Sequence, residues 1–304
     1  MFSSFILRGD QMVWVIAGLF YGLFMSFYTA INQNNKINGY VLGLWRGFGV
    51  SFVSLPVLLT EPFLFDPVYF FLLVVQGLFI GYYDSRIFFS SARFGAAGTS
   101  RILVFSILIS MVFFWTTHPV SFARVAAHPL ILGGIIVSVL GAIGSYMTML
   151  KEPFTRELVR FMLPAVFVWS LMSSLTQEIM QLHSLRYGMV YYLFFSTFVS
   201  GLYNLFYYVR TEKPTKEQAL QEIFGTKVMN IGLLLVLFSA LLIITKSIAL
   251  DETPNTGYVN ALSLTSPLWL MLYNHAIKHQ DFASPKAGLV MIACLFSLVL
   301  FTSF

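Results

Sequence analysis

Charge is scarce in this sequence. Asp, Glu, Lys and Arg make up 10% of its 304 residues, against roughly a quarter in a soluble domain. With 58% of residues hydrophobic, 17% aromatic and a mean hydropathy of +0.79, such a chain calls for lipid as its solvent. The shortage also argues against a nucleic-acid-binding face. The net charge of +5 comes from basic residues that punctuate apolar runs instead of gathering on one surface, which is a topology signal. Cysteine is nearly missing: Cys294 is single, excludes a disulfide within the chain, and lies in an apolar run as a small hydrophobe. Catalytic signatures are missing as well. There is no Gly-x-Ser-x-Gly, Walker loop, pair of intramembrane aspartates or His-Glu-x-x-His, so neither an enzyme nor a cofactor is expected. His275 and His279 have the i, i+4 spacing of a helical metal pair, with Asp281 close by. No acid lies between them and they stand at the end of an apolar run, so no metal is expected. The start, MFSSFILRGDQ, leads into a full-length apolar run without a small-residue cleavage site, so no removable signal peptide is expected.

What the chain has in abundance is apolar length. A spanning helix needs ~20 mostly apolar residues, and ten runs qualify: about 12–31, 39–60, 68–91, 99–117, 128–149, 157–181, 187–209, 228–250, 257–275 and 285–303. They predict an all-α integral membrane protein of ten transmembrane helices. The gaps are short apart from RTEKPTKEQALQEIFGTK at 210–227, which is polar and suited to a short surface helix. Nothing is large enough to form a soluble domain, so the chain reads as one membrane unit.

The second half repeats the first weakly. Shifted by 147, Phe20, Met25, Ser26, Thr29 and Tyr40 fall on Phe167, Met172, Ser173, Thr176 and Tyr187. Shifted by 156, Ser100, Ser110 and Pro129 fall on Thr256, Ser266 and Pro285. The span lengths and gap positions coincide across all five pairs. Residues 1–150 and 151–304 then form two repeats of five helices, and because five is odd the repeats are inverted, a recurrent transporter architecture. Glycines spaced for close helix packing recur, among them Gly43 and Gly47 on the second run and Gly77 and Gly81 on the third.

Ionisable residues inside the runs are the candidate functional residues, since each costs about 2.5–3.5 kcal/mol on insertion scales. Let X be the face where the first run begins and Y the other. At 1.5 Å per residue, Arg46 and Asp84 lie roughly 10 Å in from Y, with Arg86 and Arg101 shallower on that side. Glu178 and Lys246 lie near X. Asp84 and Arg86, in GYYDSRIFFSSARFGAAGTSR, are two residues apart and point about 200° away from each other, so they do not pair. Asp84 adjoins the Gly77/Gly81/Ser85 face and Arg46 adjoins Gly43 and Gly47, at matching depth. An Arg46–Asp84 contact is favoured, with Arg101 as the competitor, while Arg86 snorkels toward Y. On this reading Arg46, Asp84, Arg86 and Arg101 form a Y-side substrate site or ionic gate, and Glu178 with Lys246 its X-side counterpart. The surplus of positive charge favours a substrate with an anionic group. Tyr21, Trp45, Trp169 and Tyr192 are the aromatic candidates to stack on a substrate, Trp45 and Tyr192 at nearly equivalent places in the two halves.

Several stretches carry a family resemblance. NALSLTSPLWLMLYN, with Ser266 and Pro267 near its middle, is followed by a short polar turn and a small-residue helix from Gly288. SRILVFSILISMVFFW and HPLILGGIIVSVLG, with Gly134 and Gly141, have the same shape in the first half, and LGLWRGFGV carries Arg46. With ten runs and the five-plus-five duplication, the chain resembles the drug/metabolite transporter superfamily in its EamA-like branch. It departs from that pattern where the family often has Gly-Glu, here Ala123-Arg124 and His279-Gln280, and at Met111 in place of a proline. The membrane glutamate that small multidrug relatives carry on their first span is absent, which argues against proton-driven export of cationic drugs. The resemblance implies a secondary-active transporter that moves a small organic metabolite by alternating access. Its partners would be that small molecule and the lipid bilayer, as a monomer or homodimer, in a bacterial inner (plasma) membrane. The alternatives are a membrane binding or sensor subunit that does not transport, and a lipid translocase. Lysines and arginines concentrate on Y, including Lys36, Arg93, Lys151, Arg156, Lys213, Lys216 and Lys227. The positive-inside rule therefore places Y in the cytoplasm and both termini outside, whereas the resemblance implies termini inside.

Overall fold

The computed structural model describes residues 9–63, 66–149, 155–269, 272 and 284–302. Among these every regular element is helical. Capping residues set the helix starts. Asn38 accepts from the Tyr40 N–H to begin α2 (Gly39–Leu58). Asp66 accepts from Val68 and Tyr69 to begin α3 (Pro67–Phe94), whose proline at the first position has no amide hydrogen to leave unpaired. α1 spans Gly9–Ala30. Gly95, at φ 82°, supplies the positive-φ link that ends α3 and turns the chain into α4 (Ala96–Leu103), and a break at Val104 separates α4 from α5 (Phe105–Thr117). The short α6 (Pro119–Ala126) precedes α7 (Pro129–Met149) and α8 (Arg156–Leu182). Beyond it α9 (Leu185–Tyr191) runs through a π-helical turn, Tyr192–Ser196, into α10 (Thr197–Glu212). The polar stretch expected to form a surface helix does so as α11 (Lys216–Phe224), started by a reciprocal capping box between Thr215 and Gln218. α12 covers Thr226–Glu252, α13 Thr256–Leu262 with a 3₁₀ turn at Ser263–Thr265, and α14 Pro285–Thr302.

Among the described residues, eight stretches are helical, long and apolar enough to cross a membrane: Val13–Ala30, α2, α3, Ala96–Thr117, α7, α8, Leu185–Glu212 and α12. The count differs from the ten expected from hydropathy. The ninth run is divided into short helical pieces, and most of residues 270–283 lie outside the described residues. The tenth, α14, is apolar but shorter. The outward surface is an apolar one, with Phe52, Leu59, Phe71, Leu130 and Val137 all exposed, as expected of helices that face lipid.

The helices pack in matched pairs. α1 lies along α12 and α3 along α8; α2 lies along α10, α5 against α13, and α7 against α14. Small residues permit the closest of these approaches. A Cβ built on Gly47 would lie 2.4 Å from the Gly201 nitrogen and 2.5 Å from its Cα, so α2 and α10 touch backbone to backbone there. Serines secure the π-helical turn beside that contact: Ser51 donates to the Phe194 carbonyl at 2.7 Å, and Ser196 donates to the Leu73 carbonyl at 2.9 Å. Cys294 packs its sulfur over Gly141, between α14 and α7.

Candidate functional site: a buried ion cluster between the two halves

Arg46 adjoins the Gly43/Gly47 face of α2 that meets α10, and its side chain is buried in the bundle. There the Arg46 Nε stands 3.3 Å from Asp84 Oδ2 on α3, both side chains being about 95% or more buried. This is the pairing that helical geometry favours from the sequence. The contact is an ion pair without hydrogen-bond alignment. Arg46 Nε and Nη1 and Asp84 Oδ2 are all buried and make no hydrogen bond among the described residues. The second carboxylate oxygen of Asp84 accepts from the Tyr28 hydroxyl. Tyr28 lies seven residues, about two helical turns, after Tyr21 on α1, so both face the same interior.

Lys246 completes the cluster. Its side chain is buried, with Nζ 4.0 Å from the centre of the Trp169 ring and 6.0 Å from that of Tyr21. Among the described residues no carboxylate pairs with it. Tyr83 stacks on Trp169 at 4.2 Å between ring centres, and Tyr21 stacks more distantly at 6.4 Å. A cation held over an aromatic face gains about 2 kcal/mol or more when desolvated, so Trp169 is the main support of this ammonium. The Tyr21 and Tyr83 hydroxyls are buried and make no hydrogen bond among the described residues. Tyr192, on the π-helical turn, receives a bond from Gln76 Nε2 at 3.2 Å, and Gln76 also donates to Thr176 at 2.9 Å. These side chains enclose a cavity of about 20 Å³, lined by Arg46, Asp84, Lys246, Trp169, Tyr83 and Tyr192 among others. That is room for about one water. α1, α2 and α3 supply one wall of it, and α8, the π-helical turn and α12 the other.

Several sequence-derived candidates take other places. Lys246 does not belong to an X-side pair with Glu178. Counting residues locates a Cα, whereas the four-carbon stem of lysine carries its charge toward the centre. Glu178 is on the outer side of α8, half exposed, with its carboxylate 3.5 Å from His118 Nε2. Arg101 does not compete for Asp84; its Nη2 donates to the Met147 carbonyl at 3.1 Å, on α7. Arg86 is turned away from Asp84, as expected, and lies over the Phe161 ring at 4.6 Å and the Tyr82 ring at 5.3 Å. Trp45 is not a cavity residue. It donates to the Ile223 carbonyl at 2.9 Å and so ties the surface helix α11 to α2, although Tyr192, its near-equivalent in the other half, does line the cavity. His275, His279 and Asp281 lie outside the described residues, among which no three His, Cys, Asp or Glu side chains gather as metal ligands.

Sequence reasoning missed Tyr28, Gln76 and Tyr83. Gln76 had a signal, being a single amide in the run YFFLLVVQGLFI. It missed Asn260 too, which donates to Ser110 at 2.8 Å where α13 crosses α5.

No family model matches the chain, and no curated protein matches it. A solved structure described only as "Crystal structure of protein" is similar to it with a TM-score of 0.64. The likeness covers 97% of this chain and 99% of that one, at 13% sequence identity. At that identity the two share a fold, end to end.

Proposed function

We propose that this protein is a secondary-active transporter, moving a small organic metabolite with an anionic group between two inverted five-helix halves. The observation that carries the reading is the enclosed ion cluster at the junction of the halves. Arg46 and Lys246 outweigh Asp84 there, leaving one positive charge for an incoming anion, and Arg46 and Tyr83, which line the cavity, carry donors that make no hydrogen bond among the described residues. Buried ions in a membrane protein are functional by default because of what they cost.

The packing supports the inverted repeat. Exchanging first-half helices for their expected counterparts turns the α1–α12 contact into the α8–α3 contact, and it maps the α2–α10, α5–α13 and α7–α14 pairs onto themselves. A site on such a pseudo-two-fold axis faces either side by rocking one half on the other. A cavity with room for about one water corresponds to an occluded form, which must open to admit a metabolite. The resemblance to drug/metabolite transporters, ten spans and a bacterial plasma membrane with Y toward the cytoplasm belong to the same proposal.

The test is flux. Protein reconstituted in liposomes with a mixture of small organic acids should deplete or accumulate one of them, and Lys246→Gln should stop it while the protein stays folded. Ligand-induced thermal stabilisation without flux would instead identify a binding or sensor subunit and overturn the transport reading.

A further inference from the structure

Span α3 carries a second polar place on its other side. Ser85, next in sequence to Asp84, faces away from the ion cluster into a cleft of about 490 Å³, within the range that binds small ligands. Its lining includes Arg86, Phe89 and Arg93 from α3, Tyr40 from α2, Phe161 from α8 and Glu212 from α10. All of these lie within about two turns of the Y ends of their helices, the level at which lipid headgroups meet the hydrocarbon.

The charges in the cleft are ordered by depth. Arg86 stands eight residues before the end of α3, roughly 12 Å inward along the axis. It lies over Phe161 and has no carboxylate partner among the described residues. Arg93, near the rim, is already paired with Glu157. Glu212 is the last residue of α10 and exposed, with Oε1 held by the Asn38 amide at 2.9 Å. The cleft therefore presents an unpaired cation inside and a carboxylate outside, between the aromatic walls of Tyr40, Phe89 and Phe161. A phospholipid with a primary amine has the complementary order, its phosphate nearer the acyl chains and its ammonium beyond.

We infer that this cleft is a binding site for phosphatidylethanolamine of the Y leaflet, with the phosphate on Arg86 and the ammonium on Glu212. Guanidinium suits phosphate through charge-assisted, paired hydrogen bonds. A carboxylate distinguishes a primary ammonium, which donates hydrogen bonds, from a choline, which has none to give. It repels the added negative charge of an anionic lipid. The inference does not depend on transport.

Delipidated full-length protein in a neutral detergent is titrated with phosphatidylethanolamine, phosphatidylcholine or phosphatidylglycerol of identical acyl chains, with bound lipid counted by native mass spectrometry. Phosphatidylethanolamine should bind about tenfold more tightly than either of the others. Glu212→Gln, at an exposed rim position, should bring it down to the phosphatidylcholine level, and Arg86→Ala should weaken all three. Equal binding of the three lipids, tighter binding of phosphatidylglycerol, or an intact preference in Glu212→Gln would overturn the assignment. If Arg86→Ala does not fold, the rim variant alone decides.

Discussion

Removing one partner of the Arg46–Asp84 pair should damage the protein more than removing both. At 3.3 Å and an effective dielectric of about 20, the attraction is about 5 kcal/mol. Desolvating each ion costs several kcal/mol, so the net stabilisation of the intact pair is small. Truncating Arg46 to Met leaves Asp84 buried with only the Tyr28 hydroxyl for support, and the expected loss is about 3–5 kcal/mol. The double variant Arg46→Met, Asp84→Asn removes both charges of the pair, leaves Lys246 over Trp169 and keeps an acceptor for Tyr28, so most of that loss should return. Thermal unfolding in a fixed lipid–detergent mixture measures the stability of the two single variants and the double. Liposome flux, measured on the same preparations, separates structure from function. A pair that serves substrate binding should leave the double variant stable and inactive. Restoration of both stability and flux would refute the substrate role. Single variants that lose less than about 1 kcal/mol would refute the buried pair itself.

Lys246→Met should hold or raise thermal stability, because it removes a buried cation without a carboxylate partner, yet should abolish flux; a variant that transports normally would remove Lys246 from the site. Gly47→Ala should cost about 1–3 kcal/mol in thermal unfolding, since the new methyl would lie 2.4 Å from the Gly201 nitrogen and must drive α2 from α10. An unchanged midpoint would show that the two backbones do not meet there. Thr215→Ala should loosen α11 by about 1 kcal/mol, read as faster amide exchange over Lys216–Phe224 with the spans unaffected. A reporter active only in the cytoplasm should stay silent at either terminus and respond when inserted between Lys213 and Thr215, if the charge bias orients the chain. The reverse pattern would show that the basic loop lies outside.

Hydropathy alone determined that this chain is helical and apolar enough to span a membrane, because lipid leaves backbone amides no partner except their own helix. The caps Asn38, Asp66 and Thr215, which start α2, α3 and α11, emerged only from the structure, whereas helical geometry alone separated Asp84 from Arg86. Depth along the chain was also legible, so Arg46 and Asp84 could be matched. Direction around each helix, and the reach of long side chains, were not. Lys246 and Glu178 are both six or fewer residues from the X ends of their helices, yet one charge lies beside Trp169 at the centre and the other outside near His118. Trp45 and Tyr192 look equivalent in sequence, but a carbonyl of α11 claims the first and the π-helical turn places the second in the cavity. Those outcomes depend on which helix stands opposite, and only the packing of α1, α2 and α3 against α8, α10 and α12 decides that.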